Sequence, residues 1–229
     1  MKPLKISLLL IAAFLPAAIL FVIQHFFAAT YLTSSFYKII FLLPIVYRVF
    51  FYNKSWKTAI THDFSFVKFK KSITHALGWG LLFSAMYAGA FLLFKDFLPI
   101  DEIVAQLNNA AAITTANIVW IGLYIIFINS LLEEFFWRGF FFDEVHTLCG
   151  WFIGYILTAI GFTLYHVVYF YQWFSYPGLF VLVCIGLFGY SLFMCMIFQK
   201  YRDLFTCWMI HALVDVVQIC IALSLFGII

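Results

Sequence analysis

Apolar runs of about twenty residues recur along the whole chain, separated by short polar stretches. A helix rises about 1.5 Å per residue, so crossing a hydrocarbon core of about 30 Å takes roughly 20 residues. Seven segments are long enough, near residues 5–27, 35–52, 73–94, 117–142, 151–171, 178–199 and 204–227. The runs are continuous and lack the every-second-residue alternation of membrane strands, which predicts an all-α, polytopic transmembrane helical bundle of about seven spanning helices. No repeat, low-complexity tract or long linker interrupts the pattern, so a single membrane domain over 1–229 is expected, with the chemistry-bearing part at 118–226.

The polar stretches between the runs set an expected orientation. Lys2 and Lys5 precede the first span, Lys54, Lys57, Lys68, Lys70 and Lys71 follow the second, and Lys200 with Arg202 follow the sixth. The other side has Lys38 and Lys95, offset by Asp96, Asp101 and Glu102. Basic loops stay cytoplasmic, which predicts a cytoplasmic N-terminus and a C-terminus on the far side of a cell membrane. The basic start resembles a signal peptide, but its apolar run is too long and no small-x-small site follows it directly, so it is expected to remain as the first span. Between Asn53 and Lys71, Trp56, Ile60, Phe64 and Val67 sit at helical spacing among lysines and read as a basic topological anchor at the interface. Pro99 and Asp101 predict a short helix in the far-side loop from Asp96 to Ala116.

Composition excludes several classes. With 66% hydrophobic and 10% charged residues, the chain lies outside the range of soluble domains. The net charge of +3 comes from small clusters beside apolar runs, which suits anionic headgroups and gives no footprint for nucleic acid. Cys149, Cys184, Cys195, Cys207 and Cys220 are odd in number, mostly lie inside apolar segments and show no CxxC spacing, so they read as small packing residues.

Three spans nevertheless carry strongly polar groups: NSLLEEFFWR at 129–138, GFTLYH at 161–166 and HALVD at 211–215. A charge in a bilayer core costs roughly 2.5 to 3.5 kcal/mol even on the mildest scale, so such groups require partners or a function. Measured from the cytoplasmic helix ends, Glu133 lies roughly 15 Å deep, His211 roughly 12 Å and His166 somewhat over 20 Å, which lets three helices point into one cavity open to the cytoplasm. Residues four apart share a helix face, so Glu134 meets Arg138, Phe162 meets His166, and His211 meets Asp215. Glu134 then reads as a structural ion-pair partner. Glu133 is about 100° away, on the face of Asn129 and Trp137. It has no cation on that face of the helix and is the candidate general base. A purely structural ionic cluster is the alternative for Glu133, Glu134 and Arg138, and a carbonyl-bonded histidine is the alternative for His166. His25, His62, His75 and His146, with Asp143 and Glu144, read as solvated helix ends or loops.

In this order the three segments resemble the EExxxR, FxxxH and HxxxN/D motifs of the CAAX-processing and bacteriocin-processing (Abi) family, over roughly 118–226. The resemblance implies an intramembrane glutamate endopeptidase, similar to type II CAAX prenyl endopeptidases, with Glu133, His166, His211 and Asp215 catalytic and Glu134, Arg138, Asn129 and Phe162 supporting. It implies that Glu133 and His166 activate water while the last motif stabilises the oxyanion. The final position is often Asn, whereas Asp215 donates only when protonated, so orienting His211 is the role expected of it. The implied partners are a membrane-anchored peptide or prenylated C-terminus and the lipid bilayer, without nucleic acid.

Two other readings remain open. The same four residues could ligate zinc and use metal-bound water, although no local HExxH fixes them; otherwise no cofactor is expected. A non-catalytic membrane protein that binds a peptide, acts in immunity or relays protons is the second. The transporter form of it would call for two related halves with broken helices, which the chain lacks.

Overall fold

A computed structural model of the protein describes residues 2–27, 31, 35–109 and 112–229. Residues 28–30 and 32–34, where a cleavage site after the first span would fall, and 110 and 111 of the far-side loop lie outside the described residues.

Among the described residues the elements are all helical. They run α1 (Lys2–Phe26), a 3-10 segment (Ser35–Leu42) continuing into α2 (Leu43–Tyr52), α3 (Trp56–Thr61), α4 (Phe66–Phe94) with a terminal 3-10 turn, and α5 (Ile100–Asn109). The second half holds α6 (Ile118–Tyr124), α7 (Ser130–Phe136), α8 (Asp143–Cys149), α9 (Trp151–Phe170), α10 (Pro177–Tyr201) and α11 (Leu204–Leu225). Among the described residues seven helical stretches are long and apolar enough to cross a membrane, as the hydrophobic pattern predicts.

Boundaries differ where side chains settle what hydropathy cannot. The third span begins at Phe66, not near residue 73, because Ser65 caps α4 by accepting from Lys68 N, and the lysines of the first turns are carried on the helix itself. The anchor region is thus divided between α3 and the start of α4. The far-side loop contains α5, opening just after Pro99 as expected.

The fourth span is the centre of the bundle. It runs from Ile118 to Cys149 without a break, but through two π-helical stretches, Ile125–Asn129 and Trp137–Phe142, on either side of α7. A π stretch forfeits ordinary helical hydrogen bonds and often marks a functional position. Side chains take two of its carbonyls: Ile126 O accepts from Ser130 Oγ and Trp208 Nε1, and Gly139 O from Arg48. Phe136, Trp137, Phe140 and Phe141 pack into one cluster with α1, the 3-10 segment and α9, while Phe135 and Phe142 join another with α10 and α11. Residues 133–142 are all buried, so this part of the span sits inside the bundle, whereas Val119, Trp120 and Leu123 near its start are exposed.

Close approaches set the spacing of the neighbours. A Cβ at Gly161 of α9 would stand 2.7 Å from the Trp137 ring and 2.9 Å from Ala13 O, so only glycine lets α9 sit against both α1 and the central span. On the opposite flank α11 packs along α4, with Ser84 Oγ donating to Leu213 O and the Ser72 and Thr206 hydroxyls 2.6 Å apart. Asp203 fixes where α11 begins: its carboxylate accepts from Thr206 N, Thr206 Oγ1 and Ser65 N.

The helix ends are less solvated than the sequence suggests. Glu144 is buried and accepts from Tyr52 Oη at 2.7 Å, and Asp143 is ion-paired with Arg202, so neither is a free solvated end. Arg48 is buried as well, holding Ala59 O, Gly139 O and Asp63, whose other oxygen meets His62. These contacts come from different parts of the chain and are invisible to a local pattern.

Candidate active site

Three elements bring the polar groups together. Glu133 and Glu134 lie on α7, His166 on α9, and His211 and Asp215 on α11. Glu133, Glu134, Arg138, His211 and Asp215 are all buried; the most open of the site side chains is His166, at 24% exposed. The side chains of the site therefore pack closely around Glu133.

Glu133 is held through one oxygen. Asn129 Nδ2 donates to Oε1 at 2.7 Å and Tyr165 Oη donates to the same atom at 3.2 Å. Oε2 is buried with no hydrogen-bond partner among the described residues and lies 3.8 Å from His166 Nε2. His166 Nδ1 contacts Phe162 O at 2.8 Å; a carbonyl only accepts, so Nδ1 carries a proton and neutral His166 presents a lone pair at Nε2. The carbonyl bond considered as an alternative for His166 is thus present, and it aims the other nitrogen at Glu133.

Glu134 does more than the sequence predicts. Its Oε1 accepts from Arg138 at 2.9 Å, the expected pair one turn away, and also from His211 Nδ1 at 2.7 Å. The group that orients His211 is therefore Glu134, and the expectation that Asp215 does so is corrected. Asp215 Oδ1 is 3.8 Å from His211 Nε2, beyond hydrogen-bond range, and its Oδ2 is buried with no partner among the described residues. One turn of helix brings Asp215 near His211, but the imidazole is turned towards α7.

Phe162 ties these groups together. Its ring lies 4.3 Å from the His166 ring, 6.3 Å from that of His211 and 6.1 Å from Trp137, and the Arg138 guanidinium stacks 4.5 Å from its centroid. Arg138 also donates to Ser191 Oγ of α10 at 3.3 Å, so the buried cation is shared among three helices.

Two residues of the 3-10 segment reach the site without having been singled out. Tyr37 donates to Tyr165 Oη at 2.6 Å. Lys38, counted by sequence as a far-side loop charge, is 4% exposed; its ammonium lies over the Tyr31 and Tyr124 rings and interacts electrostatically with Glu133 and Asp215. Burial reverses that assignment. The rule that flagged the glutamates, a charge inside an apolar run, applies equally to Lys38 in SFYKIIFLLP and could have found it.

Among the described residues no three His, Cys, Asp or Glu side chains form a group that could hold a metal ion. His211 is hydrogen-bonded to Glu134, while His166 Nε2 faces Glu133 Oε2 and His211 Nε2 faces Asp215 Oδ1, each at 3.8 Å.

Residues 115–217 match the family model described as type II CAAX prenyl endopeptidase Rce1-like, a segment that includes all three motifs. No curated protein and no solved structure matches the chain. The motifs, the matched segment and the apolar helices agree in one likeness: the second half of the chain is similar to the CAAX protease family of membrane endopeptidases.

Proposed function

We propose that the protein is an intramembrane glutamate endopeptidase that cleaves a membrane-anchored peptide or a prenylated C-terminus from the cytoplasmic side of the cell membrane. One observation carries this reading. Glu133 has one oxygen pinned by two donors and the other without a hydrogen-bond partner among the described residues, facing Nε2 of His166 at 3.8 Å.

A water about 2.8 Å from both Oε2 and Nε2 would donate one hydrogen to each, which orients its oxygen for attack. As that oxygen bonds to the peptide carbonyl carbon, Glu133 takes the water proton and the carbonyl oxygen gains negative charge. With both ring nitrogens protonated, His211 donates from Nδ1 to Glu134 and from Nε2 to the oxyanion. Collapse of the intermediate breaks the C–N bond, and the proton on Glu133 passes to the leaving amine. Glu134 and Arg138 do not touch substrate; they hold His211 and the central span in place. No step requires a metal.

The test uses the full chain in proteoliposomes with two quenched fluorogenic probes, one a farnesylated CAAX peptide and the other an unprenylated peptide on an apolar anchor. Glu133→Gln is expected to lower cleavage by roughly 10²- to 10⁴-fold while the protein stays folded. A membrane-permeant chelator is expected to leave the wild-type rate unchanged. Retained cleavage in folded Glu133→Gln overturns the glutamate mechanism, and a chelator-induced loss restored by Zn²⁺ replaces it with the metal reading.

A further inference from the structure

We infer that Tyr165, steered by Tyr37, is a positioning residue that locks the Glu133 carboxylate in its working orientation, so that a segment outside the family match takes part in building the site. The inference rests on the reading of Glu133 as general base.

Tyr165 and His166 are successive residues on α9, pointing about 100° apart around it. They meet the same carboxylate from two directions: the Tyr165 hydroxyl contacts Oε1, and His166 Nε2 faces Oε2. A carboxylate held at one point can swing about its terminal bond. Glu133 is held at Oε1 from its own helix by Asn129 and from α9 by Tyr165, which removes that freedom.

The direction of each hydrogen bond follows from the groups present. An ionised carboxylate only accepts, so Tyr165 must give its single proton to Glu133. The oxygen of Tyr165 is then free to accept, and Tyr37 Oη donates to it at 2.6 Å. A hydroxyl that accepts one bond becomes a better donor in the next, so Tyr37 strengthens the contact on Glu133 without touching it. Tyr37 and Tyr165 are 4% and 2% exposed, and buried hydroxyls are retained where they find partners. Phe41 closes the arrangement, with its ring 5.6 Å from Tyr165 at 85° and 6.3 Å from Tyr37 at 70°. The 3-10 segment Ser35–Leu42 supplies both Tyr37 and Phe41, and it lies well before residue 115, where the family match begins. The N-terminal part of the chain therefore takes part in aiming the base and is not only a lipid-facing support.

The experiment compares wild type, Tyr37→Phe, Tyr165→Phe and the double variant in the same proteoliposome assay, beside Glu133→Gln. Phenylalanine keeps the ring packing and removes only the hydroxyl. Tyr165→Phe is expected to lower kcat roughly tenfold to a hundredfold with KM within about twofold, and Tyr37→Phe to act in the same direction but less. Because Tyr37 reaches Glu133 through Tyr165, its other contact being a longer one of 3.4 Å to Tyr169 Oη, the double variant is expected to match Tyr165→Phe alone. Infrared difference spectra of ¹³C-glutamate-labelled protein, wild type minus Glu133→Gln, isolate the Glu133 carboxyl band without needing substrate. That band is expected to shift in Tyr165→Phe, and this arm decides if neither probe is cleaved. A wild-type kcat in Tyr165→Phe, an unshifted band, or a double variant that loses the product of the two single effects overturns the inference. Cleavage by Glu133→Gln overturns the base reading itself, whereas an inactive Glu133→Gln beside a wild-type Tyr165→Phe overturns this inference alone.

Discussion

At the scale of single residues, the two adjacent glutamates are told apart by what their oxygens hold. Glu134 accepts from both Arg138 and His211, and removing it strands a fully buried guanidinium. Breaking a buried pair from one side costs about 3–5 kcal/mol, so Glu134→Ala is expected to lower the resistance of the purified protein to thermal or detergent unfolding by an amount of that order. Glu134→Gln keeps a carbonyl oxygen for one donor and is expected to fall in between, with reduced activity because His211 loses its anchor. Glu133 lies on the other face, holds no cation directly, and its conversion to Gln should be tolerated structurally. A Glu133→Gln protein that unfolds as readily as Glu134→Ala would contradict this division. The spacing of the chain exposes the Glu134–Arg138 and Asn129–Glu133 pairs, because both follow from helical pitch within one segment.

At the scale of helices, the site depends on how closely α9 approaches the central span. His166 and Tyr165 can reach Glu133 only because Gly161, about one turn earlier, lets the helix lie against Trp137 and Ala13. Gly161→Ala is therefore expected to destabilise the fold by about 1–3 kcal/mol and to reduce cleavage as α9 is pushed away. Gly178→Ala is the matched control, because a methyl there meets nothing within 4 Å. Equal melting behaviour of the two variants would show that α9 accommodates the methyl and that the close approach is not required. The π-helical stretches flanking α7 belong to the same scale. Nothing in the hydrophobic period announces them, since they are stabilised by Trp208 and Arg48 from other parts of the chain as well as by Ser130.

For the whole molecule, an uneven distribution of charge remains the basis for orientation, and burying Lys38 strengthens it by taking one lysine out of the far-side count. A phosphatase that is active only outside the cytoplasm, fused after Ile229, is expected to be active, and the same reporter inserted at Ser55 inactive. The reverse pattern would place the site's approach on the other side of the membrane. The architecture also explains why so much exposed aromatic and aliphatic surface is tolerated: Leu82, Leu93, Phe50, Trp120 and Phe152 face outward where lipid would meet them, while the charged groups of the site are enclosed.

The sequence by itself determined the helical class, the approximate spans, the three motifs and the pairs four residues apart. All of these depend on hydrophobic period and helical pitch, which are properties of a contiguous stretch. Only the tertiary structure decided that Glu134 and not Asp215 hydrogen-bonds His211, that Tyr165, itself bonded by Tyr37, holds Glu133, and that Lys38, Arg48 and Glu144 are buried. Each depends on the rotation of one helix against another, which close packing fixes to within a side chain's width and no local pattern encodes.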